Sequence, residues 1–164
     1  MINCRNANND EAKTLTQLAI RSKAHWGYSD TFMRACQQEL TITEAMLCAE
    51  DSVYVVAENN GTIIGFYALG DVQNSQIELT YLFVEPTHIG AGVGRTLMEN
   101  AIANAAYFGG KQLYIQGDPH AEGFYRAMGA YHTGYLESLS IARRYLPTFI
   151  IDLLGRNMAN GSSL

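Results

Sequence analysis

The segment Pro86–Thr96 carries glycines at every second position, Gly90, Gly92 and Gly94. A strand-like run that ends at Val84 precedes it and a helical pattern follows it, so the glycines stand where a strand passes into a helix. Such a loop brings several backbone N–H groups close to an anion, and the N-terminus of the helix adds about half a positive charge. The spacing therefore predicts a site for a phosphate-bearing ligand, and a diphosphate is its natural example.

Two familiar phosphate-binding patterns do not fit this loop. A dinucleotide fingerprint GxGxxG that begins at Gly90 requires a further glycine at the position of Arg95. A P-loop requires Gly-Lys-Ser/Thr, and no such tripeptide follows the glycines. A structural turn explains one or two glycines but hardly three, so anion binding is the better interpretation.

Helical periods in the first 50 residues predict the elements that flank the loop in space. We expect a short strand over 2–5 and then three helices, with N-caps at Asn9 or Asp10, at Asp30 and at Thr43. The break between the first two helices, His25–Tyr28, contains the only tryptophan, Trp26. Aromatic side chains in a loop of this kind are suited to wall a pocket, or alternatively to form a hydrophobic staple with Phe32.

From residue 52 the period becomes that of strands. Asn59-Asn60-Gly61 lies between two β-rich runs and predicts a hairpin, and a run over 77–84 completes an antiparallel meander. A helix from Arg95, whose buried side extends to Phe108, crosses to a strand at 113–115, which must therefore be parallel to the third run. The last predicted elements are a helix over 119–128 and strands over 130–137 and 148–153. The predicted class is α+β with a mixed sheet.

Composition limits the kinds of partner. The 164 residues are 48% hydrophobic and 16% charged, which fits a single domain over 1–164 with a flexible tail at 158–164. The net charge of −5 argues against nucleic-acid binding and weakly favours a cationic acceptor. The sequence has no apolar run of about 20 residues and no signal-peptide core, so we expect a cytoplasmic protein without a membrane partner. Three cysteines without ligand spacing predict reduced thiols and no metal site.

Two motifs in the middle of the chain resemble the GNAT superfamily of acyl-CoA N-acyltransferases, in its small bacterial form. The superfamily's Gln/Arg-x-x-Gly-x-Gly/Ala motif and its Asn-x-x-Ala-x-x-Phe-Tyr-x-x-x-Gly pattern are met by Gly92 and Gly94 and by Ala121, Phe124, Tyr125 and Gly129. The resemblance covers about 52–130. Two positions depart from it: Ile89 stands where Gln or Arg is usual, and Asp118 stands where Asn is usual.

The resemblance implies a fold and a cofactor. The expected fold is a mostly antiparallel sheet of six to seven strands with helices on both faces and a splay between the fourth and fifth strands. The expected cofactor is acetyl-CoA, with Arg95 and Arg126 as partners of its adenosine phosphate and a bulged strand at Leu82–Val84 pairing with its pantetheine. The complete set of implied cofactor-binding residues is Leu82, Phe83, Val84, Ile89, Gly90, Ala91, Gly92, Val93, Gly94, Arg95, Thr96, Asp118, Ala121, Tyr125 and Arg126.

Acyl transfer to an amine needs a neutral amine, stabilisation of an oxyanion and a proton for the leaving thiolate. The resemblance implies Tyr125 as the acid, although the side chain is also suited to core packing. It implies Glu78 as the base, with ordered water or a purely structural glutamate as alternatives. Strand alternation places Glu78 on one face with Thr80, Leu82 and Val84. Trp26, Tyr28 and His120 are the predicted acceptor residues.

The predicted function is therefore acetyl-CoA-dependent N-acetylation of a primary amine on a small molecule, by direct transfer through a tetrahedral intermediate. Two alternatives stay open at this stage. One is a non-catalytic acyl-CoA-binding or regulatory domain, and the other is acetylation of a protein N-terminus or lysine. A homodimer is also left open.

Overall fold

The computed structural model describes residues 1–154, and the predicted tail over 158–164 lies outside them. The strands are β1 Asn3–Asn6, β2 Val53–Asn59, β3 Thr62–Gly70, β4 Gln76–Val84, β5 Gln112–Gln116, β6 Tyr131–Glu137 and β7 Tyr145–Asp152. The helices are α1 Ala12–Ala24, α2 Asp30–Leu40, α3 Glu44–Cys48, α4 Val93–Tyr107 and α5 Glu122–Ala127, with 3-10 turns at Asn9–Glu11, Pro86–His88 and Pro119–Ala121.

The described strands form one sheet of seven in the order β1-β2-β3-β4-β5-β7-β6. Every neighbouring pair is antiparallel except β4 and β5, which are parallel because α4 crosses between them. In the β2–β3 hairpin, Asn60 and Gly61 have φ angles of 51° and 79°, as a two-residue turn with both residues left-handed requires. These observations confirm the predicted mixed α+β class, the hairpin and the parallel pair.

Helices cover both faces of the sheet, as expected. On one face, α4 buries Leu97, Met98 and Ala101 against the sheet. On the other face, Leu15 and Leu18 of α1 pack with residues of α2 and the sheet. The two apolar clusters are separated only by the sheet itself, so the strands are buried on both sides through the middle of the molecule.

Local helix ends differ from the sequence predictions at two of the three N-caps. Ser29, not Asp30, caps α2: its Oγ accepts a hydrogen bond from the N–H of Phe32 at 3.1 Å, and Asp30 is the first helical residue. Before α1, a 3-10 turn intervenes, and the Glu11 carboxylate accepts from the N–H of Asn8 at 2.6 Å. Thr43 caps α3 as predicted, since its Oγ1 accepts from the N–H of Met46 at 3.2 Å.

Phe108 is also placed differently from the prediction. It is 41% exposed, because α4 ends at Tyr107 and Phe108 already belongs to its C-cap. Ala106 contributes a buried side chain of α4 instead. The apolar period of the sequence runs one residue beyond the helix, because the ends of helices fray or tighten.

A β-bulge at Thr80 changes the direction of β4. Ala68 pairs with Tyr81 while Leu69 pairs with Leu79, so Thr80 is an extra residue on β4. β4 pairs with β5 only over Gln76–Leu79, and the two strands separate beyond that point. The predicted splay between the fourth and fifth strands is confirmed. The predicted bulge is present on this strand, but it lies at Thr80 and not at Leu82–Val84.

The same bulge overturns the predicted strand face of Glu78. Before the bulge, Ile77 and Leu79 point to the α4 face, so Glu78 points to the face covered by α1 and α2. After it, Leu82 and Val84 pack on the α4 side. Glu78 therefore does not share a face with Leu82 and Val84, because the extra residue shifts the period-2 alternation by one position.

No helix within residues 1–154 is long and apolar enough to cross a membrane.

Gly65 sets how closely α4 approaches the sheet beside the start of the glycine loop. A Cβ at this position would lie 2.9 Å from the carbonyl oxygen of Phe83 and 2.9 Å from Cδ1 of Leu97, and the backbone atom has no room to yield. Gly65→Ala should therefore lower the free energy of unfolding by about 1–3 kcal/mol, as overpacking does.

Gly123→Ala is the matched control for this change. A Cβ at Gly123 meets nothing within 4 Å and its φ is not in the left-handed region, so the substitution should be neutral or stabilise by up to about 1 kcal/mol. Urea denaturation of the three proteins measures both effects. Equal midpoints for Gly65→Ala and the parent chain would show that α4 can move away at no cost.

Candidate active site

A cavity of about 760 Å³ opens where β4 and β5 separate. Its lining comes from the far half of β4, the glycine loop, α5, the end of α1 and the start of β7. The residues predicted from the sequence that line it are Trp26, Glu78, Leu82, Phe83, Val84, Ile89, Gly90, Gly92, Gly94, Arg95, Asp118, His120, Ala121 and Tyr125. The splay thus brings together side chains from across the chain in a single concave site.

Backbone amides of the glycine loop form one end of this cavity. Gly90 and Gly92 have φ angles of 86° and 85°, which other residues rarely adopt, and Gly92 is the N-cap of α4. The N–H of Thr96 donates to the carbonyl of Gly92 at 3.1 Å, so the N–H groups of Val93, Gly94 and Arg95 precede the first intrahelical bond. This helix N-terminus has the donors and the dipole that suit a diphosphate.

The far half of β4 offers a second set of backbone groups. The N–H of Glu85 donates to the carbonyl of Ile64 at 2.8 Å, so this residue turns its backbone toward β3. In an extended strand the backbone groups alternate in direction, and those of Leu82 and Val84 therefore turn away from β3, into the gap left by β5. The gap is bordered by an unpaired strand edge that can accept an extended ligand.

Tyr125 is enclosed by close packing and reaches the cavity. Only 7% of it is exposed, its ring lies 5.6 Å from that of Phe149, and a Cβ on Gly117 would come within 3.0 Å of its Cε2. Burial, with the nearby charge of Asp118, raises the pKa of the Tyr125 phenol well above its ordinary value. The hydroxyl is consequently protonated at neutral pH and able to donate a proton.

Glu78 borders the same cavity from β4. Glu78 is half-buried, and it lies opposite Tyr114 on the parallel strand β5. Burial and the charge of Asp71 raise the pKa of the Glu78 carboxyl above its ordinary value. A carboxylate with a raised pKa is a stronger base than an exposed one, and this is the property that proton removal from an ammonium group requires.

Asp118, at the end of β5, is the centre of a hydrogen-bonded cluster that we call the Asp118 cluster: Lys23, Tyr28, Asp118, His120 and Arg144. The Asp118 carboxylate accepts from the Tyr28 hydroxyl at 2.8 Å, from the backbone N–H and the ring Nδ1 of His120 at 2.9 Å each, and from Nη2 of Arg144 at 3.1 Å. The Lys23 ammonium lies 3.6 Å away. These contacts join four segments of the chain.

The cluster fixes the ionisation of Asp118. Burial by itself would raise the pKa of this carboxyl, but the hydrogen bonds from His120 and Tyr28 and the charge of Lys23 outweigh burial and lower the pKa to about 2. Burial and the bond to Asp118 raise the pKa of Tyr28 to about 12. Asp118 is thus a carboxylate and Tyr28 a neutral phenol at neutral pH.

Two of the three predicted acceptor residues, Tyr28 and His120, belong to this cluster, and the third, Trp26, lies beside it. The Trp26 indole stacks on the His120 imidazole with ring centroids 5.1 Å apart, and both line the cavity. Tyr28 stacks on Phe32 at 4.0 Å and supports the wall from behind through Asp118. The predicted contact between Tyr28 and Phe32 is therefore present, while the role of Trp26 and Tyr28 toward an acceptor stays a prediction.

Some predicted residues fall outside the lining that the described chain provides: Tyr28, Ala91, Val93, Thr96 and Arg126. Val93 is buried under the loop, and Thr96 donates its hydroxyl to the carbonyl of Gly92 at 3.0 Å. The exposed Arg126 pairs with Glu122 at 3.0 Å, and Arg95 pairs with Glu99 at 3.1 Å. Phosphate contacts by the two arginines stay predictions.

Sequence reasoning missed Lys23 and Arg144. Lys23 follows the buried Ala19 by four residues and so lies on the inner side of α1, a signal that helical spacing could have supplied. Arg144 belongs to the β6–β7 connection and no local pattern marks it.

Comparison with known proteins identifies the family. The model of the GNAT acetyltransferase domain matches residues 50–129, which agrees with the motif-bearing region predicted as 52–130. No curated protein matches the sequence.

Solved structures share the fold over most of the chain at low identity. The PaiA N-acetyltransferase of Thermoplasma acidophilum, in complex with coenzyme A, is 19% identical with a TM-score of 0.75 over 93% of this chain and 99% of its own. The acetyltransferase YncA of Salmonella typhimurium, with acetyl-CoA, is 19% identical with a TM-score of 0.64 over 93% and 94%. An aminoglycoside 6'-N-acetyltransferase complexed with coenzyme A is 17% identical with a TM-score of 0.69 over 92% and 97%.

The matched family model, the bulged and splayed β4 and the glycine loop at the start of α4 agree with one another. The predicted superfamily is confirmed, and the chain belongs to the GNAT acetyltransferases.

Proposed function

We propose that the protein transfers the acetyl group of acetyl-CoA to the primary amine of a small molecule. The observation that carries the proposal is the convergence of four features on one cavity: the loop amides, the free edge of β4, the phenol of Tyr125 and the carboxylate of Glu78. Coenzyme A or acetyl-CoA in the complexes of similar folds supports this choice of cofactor. The aminoglycoside acetyltransferase supports a small-molecule acceptor.

The residues present fit acetyl-CoA. The N–H groups at Val93–Arg95 would hold its diphosphate, and the backbone of Leu82 and Val84 would pair with the pantetheine amides. Acetyl-CoA supplies the activated acyl group as a thioester. An N–H from the free edge of β4 is the group that would stabilise the oxyanion of the tetrahedral intermediate in direct transfer.

Glu78 and Tyr125 divide the proton transfers between them. An alkylamine with a pKa near 10.4 is neutral in only about one molecule in 2,500 at pH 7, a cost of about 4–5 kcal/mol unless a base assists. Glu78, or a water that it orders, would take that proton. Tyr125 would donate its phenolic proton to the departing thiolate. The raised pKa of Glu78 makes it a stronger base, and the raised pKa of Tyr125 keeps its phenol protonated until the thiolate departs.

Acetyl-CoA binding should depend on the backbone of the loop. At a concentration about 100 times its dissociation constant, acetyl-CoA should stabilise the protein by about 2.7 kcal/mol. Gly92→Ala forces a residue with a Cβ to a φ of 85°. The substitution should weaken the binding of acetyl-CoA, because the loop amides would turn away from the ligand. Gly109→Ala is the matched control, since Gly109 has a φ of 87° and equally open surroundings at the other end of α4.

Thermal unfolding with and without acetyl-CoA measures both variants. Their unfolding temperatures without ligand should fall alike, but only Gly92→Ala should lose the ligand-induced rise. If acetyl-CoA gives no rise in the parent protein, the proposed function fails. A rise without thiol release from any amine would favour an acyl-CoA-binding domain instead.

Tyr125→Phe should reduce turnover by about 100-fold, the usual effect of losing a general acid. The affinity for acetyl-CoA should stay unchanged, because only the hydroxyl is lost from the buried ring. Tyr135→Phe, at a 62% exposed tyrosine on β6, is the control. Stopped-flow or initial-rate measurements of thiol release test this prediction. An unaltered rate would show that Tyr125 contributes only to packing.

Glu78→Gln should remove one limb of the pH profile. A base works in its deprotonated form, so kcat/KM should fall as the pH drops through the raised pKa of Glu78. In the variant this acidic limb should disappear and the rate should be low throughout, while Glu50→Gln at an exposed position keeps the parent profile. A variant with the parent's profile would assign the base to water alone.

A further inference from the structure

The Asp118 cluster holds two cations against one carboxylate in the cavity wall. Lys23 Nζ lies 3.6 Å and Arg144 Nη2 lies 3.1 Å from the same oxygen, Oδ2 of Asp118. Tyr28 is neutral, so the two positive charges exceed the negative charge of Asp118 by one. Both cations line the cavity, where their side chains are only 13% and 16% exposed. Glu39 and Glu78 line the same cavity, so this excess belongs to the Asp118 cluster alone, and an anionic group of a ligand placed there would balance it.

Asp118 has little hydrogen-bonding capacity left for Lys23. Its two oxygens already accept from the Tyr28 hydroxyl, from two groups of His120 and from Arg144. A carboxylate offers about four acceptor positions, and these contacts occupy them. The Lys23 ammonium is therefore held near Asp118 by charge, at a distance longer than a hydrogen bond.

Both cations keep hydrogen-bond donors for another group. Within residues 1–154, Arg144 makes its side-chain hydrogen bonds through Nη2, to Tyr28 at 2.9 Å and to Asp118 at 3.1 Å. A guanidinium has five N–H donors and an ammonium has three. Most of the donors of Lys23 and Arg144 therefore take no part in the hydrogen bonds found among the described residues. Donors of this kind in a partly desolvated wall suit a carboxylate, which can accept from both.

The pair is also held in position before any ligand arrives. The stacked rings of Tyr28 and Phe32 lie beside both cations, with the Arg144 guanidinium carbon 5.3 Å and 5.0 Å from their centroids and Lys23 Nζ 5.6 Å and 5.8 Å away. Cation–π attraction offsets part of the repulsion between the two charges. A preorganised pair loses little side-chain freedom when it binds an anion.

We propose that Lys23 and Arg144 form a subsite for a carboxylate of the acceptor, and that the acceptor is an amino acid: a primary amine that also carries a carboxylate. This rests on the proposed function and names the class of its acceptor. The carboxylates of Glu39 and Glu78 also line the cavity, so the site offers groups of both signs to a zwitterion. An amino acid keeps the cationic amine that the net charge of −5 weakly favours, and it adds a carboxylate.

Matched acceptors test the proposal with the full chain and acetyl-CoA. The panel contains α-, β- and γ-amino acids, their carboxamides and the corresponding amines without the carboxylate. The best amino acid should exceed its carboxamide in kcat/KM by about tenfold or more, as expected for hydrogen bonds between charged groups. In Lys23→Gln and in Arg144→Gln this ratio should fall to about one. Lys13→Gln on the exposed side of α1 and Arg34→Gln on α2 are the controls and should keep the parent ratio.

A binding measurement makes the test independent of turnover. Trp26 is the only tryptophan and stacks on His120 at the edge of the Asp118 cluster, so its fluorescence reports on the subsite. With coenzyme A present, the N-acetyl product of the best amino acid should give a saturable change, and the N-acetyl carboxamide should bind about tenfold or more weakly. Lys23→Gln should remove the difference.

The outcomes separate this proposal from the proposed function. If the parent protein acetylates carboxamides or simple amines as well as amino acids, the carboxylate subsite is wrong while acetyl transfer stands. If the carboxylate preference survives in both Lys23→Gln and Arg144→Gln, the pair is not the subsite. If neither N-acetyl compound changes the Trp26 fluorescence, the subsite is again overturned. Failure of acetyl-CoA to bind overturns the proposed function itself.

Discussion

The site depends on one geometric constraint, the parting of β4 from β5 after Leu79. Parallel strands normally continue side by side, and closing this gap would pair the backbone groups that the cavity needs unpaired. The extra residue at Thr80 bends β4 away and so keeps that edge open. The cavity that opens in this gap is lined by the far half of β4, the glycine loop and Tyr125.

The proposed binding of an anionic cofactor by this acidic protein depends on backbone groups and not on the net charge. The net charge of −5 gives the surface no general attraction for phosphate. Oriented N–H groups at the start of α4 act over only a few ångströms, and their effect is therefore independent of the overall balance of charged side chains. Composition limits non-specific partners, while local geometry decides which anions are accepted.

Most of the architecture was predictable because it depends on local hydrophobic periodicity and on turn-forming residues. The Asn60-Gly61 turn, the parallel crossover and the glycine loop each depend on a few neighbouring residues. The face of Glu78 was predicted wrongly because a bulge has no reliable sequence signal, and one extra residue inverts every later position. Tyr28, Asp118 and His120 were each predicted as site residues, but the contacts that join them to Lys23 and Arg144 could not be predicted, since these residues meet only when the tertiary structure has formed.

That cluster has a consequence for the order of folding. The glycine loop and the β3–β4 edge form from a continuous stretch of chain, but the contacts of Tyr28, Asp118 and Arg144 close sequence separations of 26, 90 and 116 residues. Closing long loops is slow because the entropy is lost before the contacts are gained. During synthesis the glycine loop is therefore complete before the β6–β7 connection brings Arg144 to Asp118. We expect the Asp118 cluster to be the last part of the candidate site to form.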